Sequence, residues 1–301
     1  MKLLVTGATG YIGRKLIAKL KDLNHQLYIV VRQESDISNI EQDVEAIIYS
    51  NDVNKMHEQI CKIKPNGWIN LAGTYYGTHD LDKIGRLLND NVVFETYVLD
   101  AVVKSGGNLV IHTSSFQQRK DGEHYSPINL YASIKQAFED VLFYYLSIGK
   151  IREITLELFD TYGADDHRNK VFNYVRRLKN GECLNMSPGE QKMYFCYIDD
   201  VISAYIIALD LLLDKKAGYG KKYSVRGEIP ISLKKFVGRY LELVGNRMSV
   251  KWGARPYMEK EIMDPTGYGV VLPGWRTEID YEQGLQLCAE YDLLREKENE
   301  K

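Results

Sequence analysis

Eight residues near the start, Thr6-Gly7-Ala8-Thr9-Gly10-Tyr11-Ile12-Gly13, constrain this chain more than any other stretch. They follow an apolar run at 2–5 that reads as a strand, and they open an amphipathic pattern at 10–23 that reads as a helix. Gly7 suits a tight turn, Gly10 lets a pyrophosphate approach the backbone, and Gly13 lets helix and strand pack closely. The helix start, with Thr9, Tyr11 and Ile12 around it, offers free N–H groups to an anion. No Gly-Lys-Ser/Thr follows, which excludes the phosphate loop of nucleoside triphosphatases. A strand, a glycine turn and a helix in this order predict a bound dinucleotide.

The pattern then repeats. Strands are expected at 26–31, 46–49, 67–71, 108–112 and 154–159, with helices between them, notably 89–104 and 130–148, and a returning helix at 198–213. Apolar strands alternating with amphipathic helices predict an α/β fold, a Rossmann-type doubly wound parallel sheet. From Gly163 the pattern loosens into Gly, Pro and Asn punctuation. This divides the chain into a nucleotide-binding domain, 1–163 plus 197–225, and a smaller discontinuous substrate-binding region, 164–196 plus 226–301, with a frayed charged tail from Arg295. A length of 301 residues is ample for a core without staples.

Composition removes several function classes. The net charge is −2 with no long run of one sign, so neither a nucleic-acid footprint nor a membrane-surface patch is expected. No apolar run reaches the length of a membrane span, and the run before Gly7 is too short for a signal-peptide core. The four cysteines are scattered and read as thiols of a reducing compartment, which points to the cytoplasm. The six histidines form no metal-binding pair, so no metal site is expected.

Two further readings come from position. Arg32 ends the second strand, where an acid would grip a ribose 2′-hydroxyl; a guanidinium there suits a 2′-phosphate, so NADP(H) is favoured over NAD(H). Tyr131 and Lys135 lie four apart inside a helical pattern and share a face. A nearby ammonium favours the phenolate and brings a Tyr closer to useful acid–base behaviour. Lys135 can also bind the nicotinamide ribose. The strand at 108–112 runs into Ser114-Ser115, hydroxyls at the C-terminal end of a strand, where such sheets bind ligands.

The Gly-x-x-Gly-x-x-Gly spacing together with Tyr131-x-x-x-Lys135 resembles the extended short-chain dehydrogenase/reductases, a family of sugar-nucleotide epimerases, dehydratases and ketoreductases. The resemblance spans nearly the whole chain. It implies an NAD(P)-dependent enzyme with the catalytic hydroxyl at Ser115, Ser114 being the second choice. It implies that Asp52 lies near the adenine, that Leu71, Ala72 and Gly73 border the nicotinamide, and that Asn91 buttresses the site. The stretches 70–79, 130–136, 156–163, 189–191, 197–201 and 261–263, with the late Gly274-Trp275, are similar to the CDP-abequose and CDP-paratose synthase group of 4-ketoreductases. Substrate contacts are then expected at Tyr75, Phe116, Gln117, Asp160, Lys192 and Arg255, and a homodimer through the helices 89–104 and 130–148, with Tyr144 and Tyr145 in the contact.

Subtraction favours a reductase. Dehydratases of the family place Asp and Glu directly after the catalytic hydroxyl residue; here Phe116 and Gln117 stand there. Epimerase–reductases use a Cys in this loop, and none is present. The expected reaction is NADPH-dependent reduction of the 4-keto group of a nucleotide-activated deoxy sugar. The alternatives are an NAD-dependent epimerase or dehydratase, a ketoreductase of a small non-nucleotide ketone, and a non-enzymatic NADP(H) sensor; the sensors characteristically lack the Tyr/Lys pair. The chain also departs from the family pattern. Met193 and Met258 stand where arginines normally contact the nucleotide, and Asp160 replaces an Asn or His. Lys192 and Arg255 are the neighbouring substitutes, and Arg168, Lys170, Arg176, Arg177 and Lys179 are further cations within reach of a pyrophosphate.

Overall fold

In the computed structural model of the chain, which describes residues 1–40, 43–50, 52–122, 124–214, 220–265 and 269–299, the first half alternates strand and helix. The elements are β1 (Lys2–Thr6), α1 (Tyr11–Asp22), β2 (Gln26–Arg32), β3 (Glu45–Tyr49), α2 (Val53–Ile63), β4 (Gly67–Asn70), α3 (Leu81–Leu88), α4 (Phe94–Lys104), β5 (Leu109–Ser115), α5 (Leu130–Ser147), β6 (Arg152–Leu158) and β7 (Asp160–Tyr162). There follow α6 (Val171–Arg176), β8 (Cys183–Asn185), β9 (Lys192–Met193), β10 (Phe195–Tyr197), α7 (Ile198–Leu213), β11 (Lys221–Val225), β12 (Ile231–Ser232), α8 (Leu233–Leu243), β13 (Ser249–Lys251), β14 (Val270–Val271) and α9 (Tyr281–Asn299).

The main sheet has the order β14-β11-β6-β5-β4-β1-β2-β3, and every pairing in it is parallel. The strand order reverses between β1 and β4, so a crevice opens at their carboxyl ends. Two apolar layers hold the sheet. One face packs Leu3, Val5, Ile29 and Ile111 against α1 and α7. The other packs Leu4, Val30, Trp68 and Val110 against α2, α4 and α5. The alternation of Leu3, Leu4 and Val5 between the two layers is why the first strand is apolar throughout; each such side chain contributes roughly 1.5–3 kcal/mol by burial.

The chain from Asp160 onward builds small two-stranded sheets, β7 with β10, β8 with β13 and β9 with β12. Within the segment 226–301, β14 joins the edge of the main sheet through β11. Asp200, near the start of α7, ties this late segment down: its carboxylate accepts the amides of Glu278 and Ile279, at 2.9 and 3.1 Å, and its carbonyl accepts the indole N–H of Trp275 at 2.9 Å. The tail differs from expectation. Rather than fraying at Arg295, α9 continues to Asn299, with Glu296 paired to Arg247 at 2.7 Å; residues 300 and 301 lie outside the described residues.

The helix expected at 89–104 also differs. The helical run begins at Leu81, and residues 89–93 form a π-turn between α3 and α4. The wider turn seats Asn91 inside the protein, where it is fully buried.

Candidate active site

The glycine turn is shaped as a close approach. Gly7 has φ +76°, and a Cβ there would stand 2.5 Å from the carbonyl carbon of Leu71; a Cβ on Gly13 would strike the Gly7 carbonyl oxygen. Gly10 caps α1 with no side-chain bond to the helix, which leaves the first N–H groups of a long helix unanswered by side chains. The Gly10 amide donates to the Gly7 carbonyl at 3.0 Å, and Arg14 holds the Thr9 carbonyl at 2.9 Å. Ile12 sits partly buried against the core, and Tyr11 is buried under the Arg168 guanidinium, 4.7 Å from its ring centre. This cradle, crowded by backbone and lined with N–H donors, fits a dinucleotide pyrophosphate.

Around it, Leu71, Ala72 and Gly73 continue from the end of β4, and the Asn91 Oδ1 lies directly under Gly73. Asn91 donates to the carbonyls of Thr74 and Leu87, at 3.0 and 2.9 Å, and accepts the Thr74 amide at 3.2 Å. Arg32 extends from β2 toward Asp90, 3.2 Å away. Asp52 caps α2, accepting the Lys55 amide at 3.0 Å.

Tyr131 lies on the first turn of α5, which Asn129 caps through the Ala132 amide at 2.9 Å. Its ring meets Tyr75 edge-to-face, with centres 5.0 Å apart. The side chain of Gln117 hydrogen-bonds Tyr75 and accepts from Asn129 at 2.9 Å, so Tyr75, Tyr131 and Gln117 form one wall. Phe116 stacks on Phe159, 4.8 Å between centres. Ser115 accepts the Gln117 amide at 3.3 Å and is partly exposed. Ser114 turns the other way and bonds Gln118 and Glu139 in the interior. Arg119 anchors the end of this loop to the buried Glu157 with two hydrogen bonds.

The electrostatics differ from expectation. Tyr131 is not brought down by Lys135; burial raises it, followed by the Glu95 carboxylate and by Tyr75. Lys135 is itself buried and faces Glu95, with 3.4 Å between Nζ and Oε1. Asp160 is pushed up to about 6 by burial, with Lys170 pulling it down and Glu261 adding to the rise. Lys170 is brought down to about 8 by burial and by Arg168.

The cations divide. Arg168 is committed to Asp166 and the Thr161 carbonyl, Arg176 to Asp292 and the Gly163 carbonyl, and Arg177 to Asn169 and the Arg168 carbonyl. Lys192 pairs with Asp264 at 2.8 Å, and the next residue, Met193, is half-buried in β9. Arg255 and Met258 are exposed. Among the described residues, no group of His, Cys, Asp or Glu is placed to hold a metal ion, and no helix is long and apolar enough to cross a membrane.

One group escaped the sequence reading. Glu95 carried a signal: it occupies the apolar face formed by Val98, Leu99 and Val102, spaced i, i+3, i+4 and i+7. Lys170, one of the five cations expected within reach of a pyrophosphate, is half-buried.

Residues 3–223 match the NAD dependent epimerase/dehydratase family. The chain belongs to that family. It is an NAD(P)-dependent enzyme of the extended short-chain dehydrogenase/reductase type. It is 28% identical over 291 residues to the CDP-abequose synthase of Salmonella typhimurium, covering 94% of this chain and 95% of that one. It is 27% identical over 273 residues to the CDP-abequose synthase of Yersinia pseudotuberculosis, covering 88% and 92%. The UDP-glucose 4-epimerase of Thermotoga maritima shares the fold, with a TM-score of 0.82, 18% identity and 99% of each chain covered.

Proposed function

We propose that this enzyme uses NADPH to reduce the 4-keto group of a nucleotide-activated deoxy sugar, of the CDP-4-keto-3,6-dideoxyhexose type. The observation that carries the reading is the pair after Ser115. Phe116 is an aromatic stacked on Phe159, and Gln117 is a neutral amide bonded to Asn129. Neither can remove or deliver a proton for an elimination, while Tyr131 beside them can deliver one to a carbonyl oxygen. The similarity to two CDP-abequose synthases points the same way.

NADPH supplies the hydride. The turn from Gly7 to Gly13, with Thr9, Gly10, Tyr11 and Ile12, would hold its pyrophosphate; Arg32 the 2′-phosphate; Asp52 the adenine side; Leu71, Ala72 and Gly73 the nicotinamide side. Tyr131 donates its hydroxyl proton to the carbonyl oxygen, Ser115 hydrogen-bonds that oxygen and fixes its direction, and Lys135 holds the ribose. Tyr75, Gln117, Phe116 and Asp160 line the sugar site. Lys170, Lys192 and Arg255 are the cations offered to phosphate. The test is a screen of nucleotide-sugar 4-ketones with NADPH, following cofactor oxidation. Consumption with none of them sinks the assignment.

A second reading rests on Met193 and Met258, which bring no charge to a diphosphate, and on the three arginines already committed to carboxylates and carbonyls. In that reading the substrate is a ketone without a nucleotide. Calorimetry with CDP, UDP, dTDP and GDP in the presence of NADP separates the two, since only the first predicts binding.

A second copy of the chain would pack on the helices 89–104 and 130–148, where Val93, Tyr97, Phe143, Tyr144 and Ile148 are exposed. Tyr145, half-buried beside them, donates to Asp100 within the protomer at 3.2 Å. Phe143→Glu with Tyr144→Glu should halve the mass measured by light scattering.

A further inference from the structure

Two ionisable side chains face each other in the interior behind Tyr131. Glu95, on α4, is fully buried, and Lys135, on α5, is 2% exposed. The 3.4 Å between them is long for a charge-assisted hydrogen bond. The second carboxyl oxygen of Glu95, Oε2, is buried without a partner. Asn70 of β4 hydrogen-bonds the same carboxyl group, and its side chain also meets Thr6 at 2.9 Å and His112 at 3.3 Å. A carboxylate with one idle oxygen in a dry site is costly to keep ionised.

The titratable surroundings are few. Glu95 is raised to about 7 by burial, with Lys135 pulling it down and Asp90 of the π-turn adding to the rise. Tyr131, whose ring meets Tyr75, also feels the Glu95 charge. His112 of β5 is held neutral by burial and by the charges of Lys135 and Lys222.

Resting on the reading of Tyr131 and Lys135 as the reaction centre, we propose that Glu95 is a positioning residue: it holds the Lys135 ammonium toward α4, and whether it carries a proton decides how much of that charge acts on Tyr131. With Glu95 ionised, the ammonium is compensated and Tyr131 keeps its proton. With Glu95 protonated, the ammonium is unopposed and the phenolate forms more easily.

The first measurement needs no substrate. In ligand-free protein carrying ¹³C at its glutamate carboxyls, two resonances should titrate near neutrality, those of Glu95 and of the buried Glu153. The Glu95 resonance should vanish in Glu95→Gln and move to higher pH in Lys135→Met, the Glu153 resonance persisting in both. An ordinary carboxylate midpoint for Glu95, or one unmoved by Lys135→Met, overturns the proposal. If Glu95→Gln does not fold, the Glu95→Asp protein makes the assignment by the same loss of signal. The second measurement uses turnover. In Glu95→Gln the alkaline limb of kcat should move to lower pH by about one unit or more, KM for the ketone staying put, while Glu95→Asp keeps the wild-type limb. Identical limbs in wild type and Glu95→Gln also overturn it. Should the wild type reduce no ketone, the proposed function fails, and the carboxyl titration still decides the role of Glu95.

Discussion

Arg32, the last residue of β2, reaches the π-turn and places Nη2 3.2 Å from Oδ2 of Asp90. The Arg32 side chain is 60% exposed, so the pair is worth little, about 0–1 kcal/mol, and is readily exchanged for a better anion. Asp90 has a second partner in the Thr74 hydroxyl at 2.5 Å and need not follow. A 2′-phosphate bound by Arg32 gains a charge-assisted hydrogen bond of roughly 1.5–3 kcal/mol. Arg32→Asp should therefore weaken NADPH about ten- to a hundredfold and spare NADH. Equal affinity of the wild type for both cofactors, by fluorescence titration, would exclude this role.

Tyr131→Phe removes the proton donor and keeps the ring that packs on Tyr75. The expected loss in kcat is about 10²–10⁴, the usual worth of general acid catalysis, with NADPH affinity little changed. Near-wild-type turnover would take Tyr131 out of the mechanism.

Lys170 gives the substrate step a pH dependence. Brought down to about 8 by burial and Arg168, it carries its charge below that pH and loses it above. Binding of an anionic substrate should therefore weaken as pH rises through about 8, and Lys170→Met should flatten that dependence in KM. The double substitution of Lys192 and Arg255 by Ala should raise KM for a nucleotide sugar by a comparable factor at every pH. A KM that does not vary between neutral and alkaline pH in the wild type removes Lys170 from the phosphate site.

Stability should have its own pH dependence, through Glu153. This carboxyl, 5% exposed in β6, is pushed up to about 7 by burial, with Thr155 donating to it. An acid raised in the folded state stabilises fully below its unfolded value, about 4.5, and the contribution is lost as pH rises through the folded value. At about 1.4 kcal/mol per unit, the loss is roughly 3 kcal/mol. Glu153→Gln should raise Tm at pH about 8 and change it little near pH 5; the reverse order in calorimetry would mean the carboxylate is welcome where it sits.

The sheet was legible because each strand is a short apolar run bounded by turn residues, and because the glycine loop is local: Gly7, Gly10 and Gly13 lie within one turn and helix. The 198–213 helix was read to the residue. What was not legible depends on contacts between distant segments. Nothing in Tyr131-x-x-x-Lys135 reveals that the ammonium meets a carboxylate forty positions earlier, nor that Tyr131 is buried beside Glu95 and Tyr75, which raise it. Likewise Arg176 and Arg177 read as free cations until Asp292 and the carbonyls around Arg168 are brought beside them. The π-turn has no apolar period of its own, so the expected helix was drawn straight through it.

That turn has a geometric consequence. Each residue of an α-helix advances the side-chain direction by about 100°, and the wider turn at 89–93 resets that count between α3 and α4. The side-chain pattern of α4 is therefore offset from that of α3 and does not simply continue it. The sequence of α4 can drift to suit the sheet beneath it, and that of α3 to suit the crevice mouth, without either dictating the other's pattern. Relatives that differ by one residue in this stretch need not differ in the helices on either side.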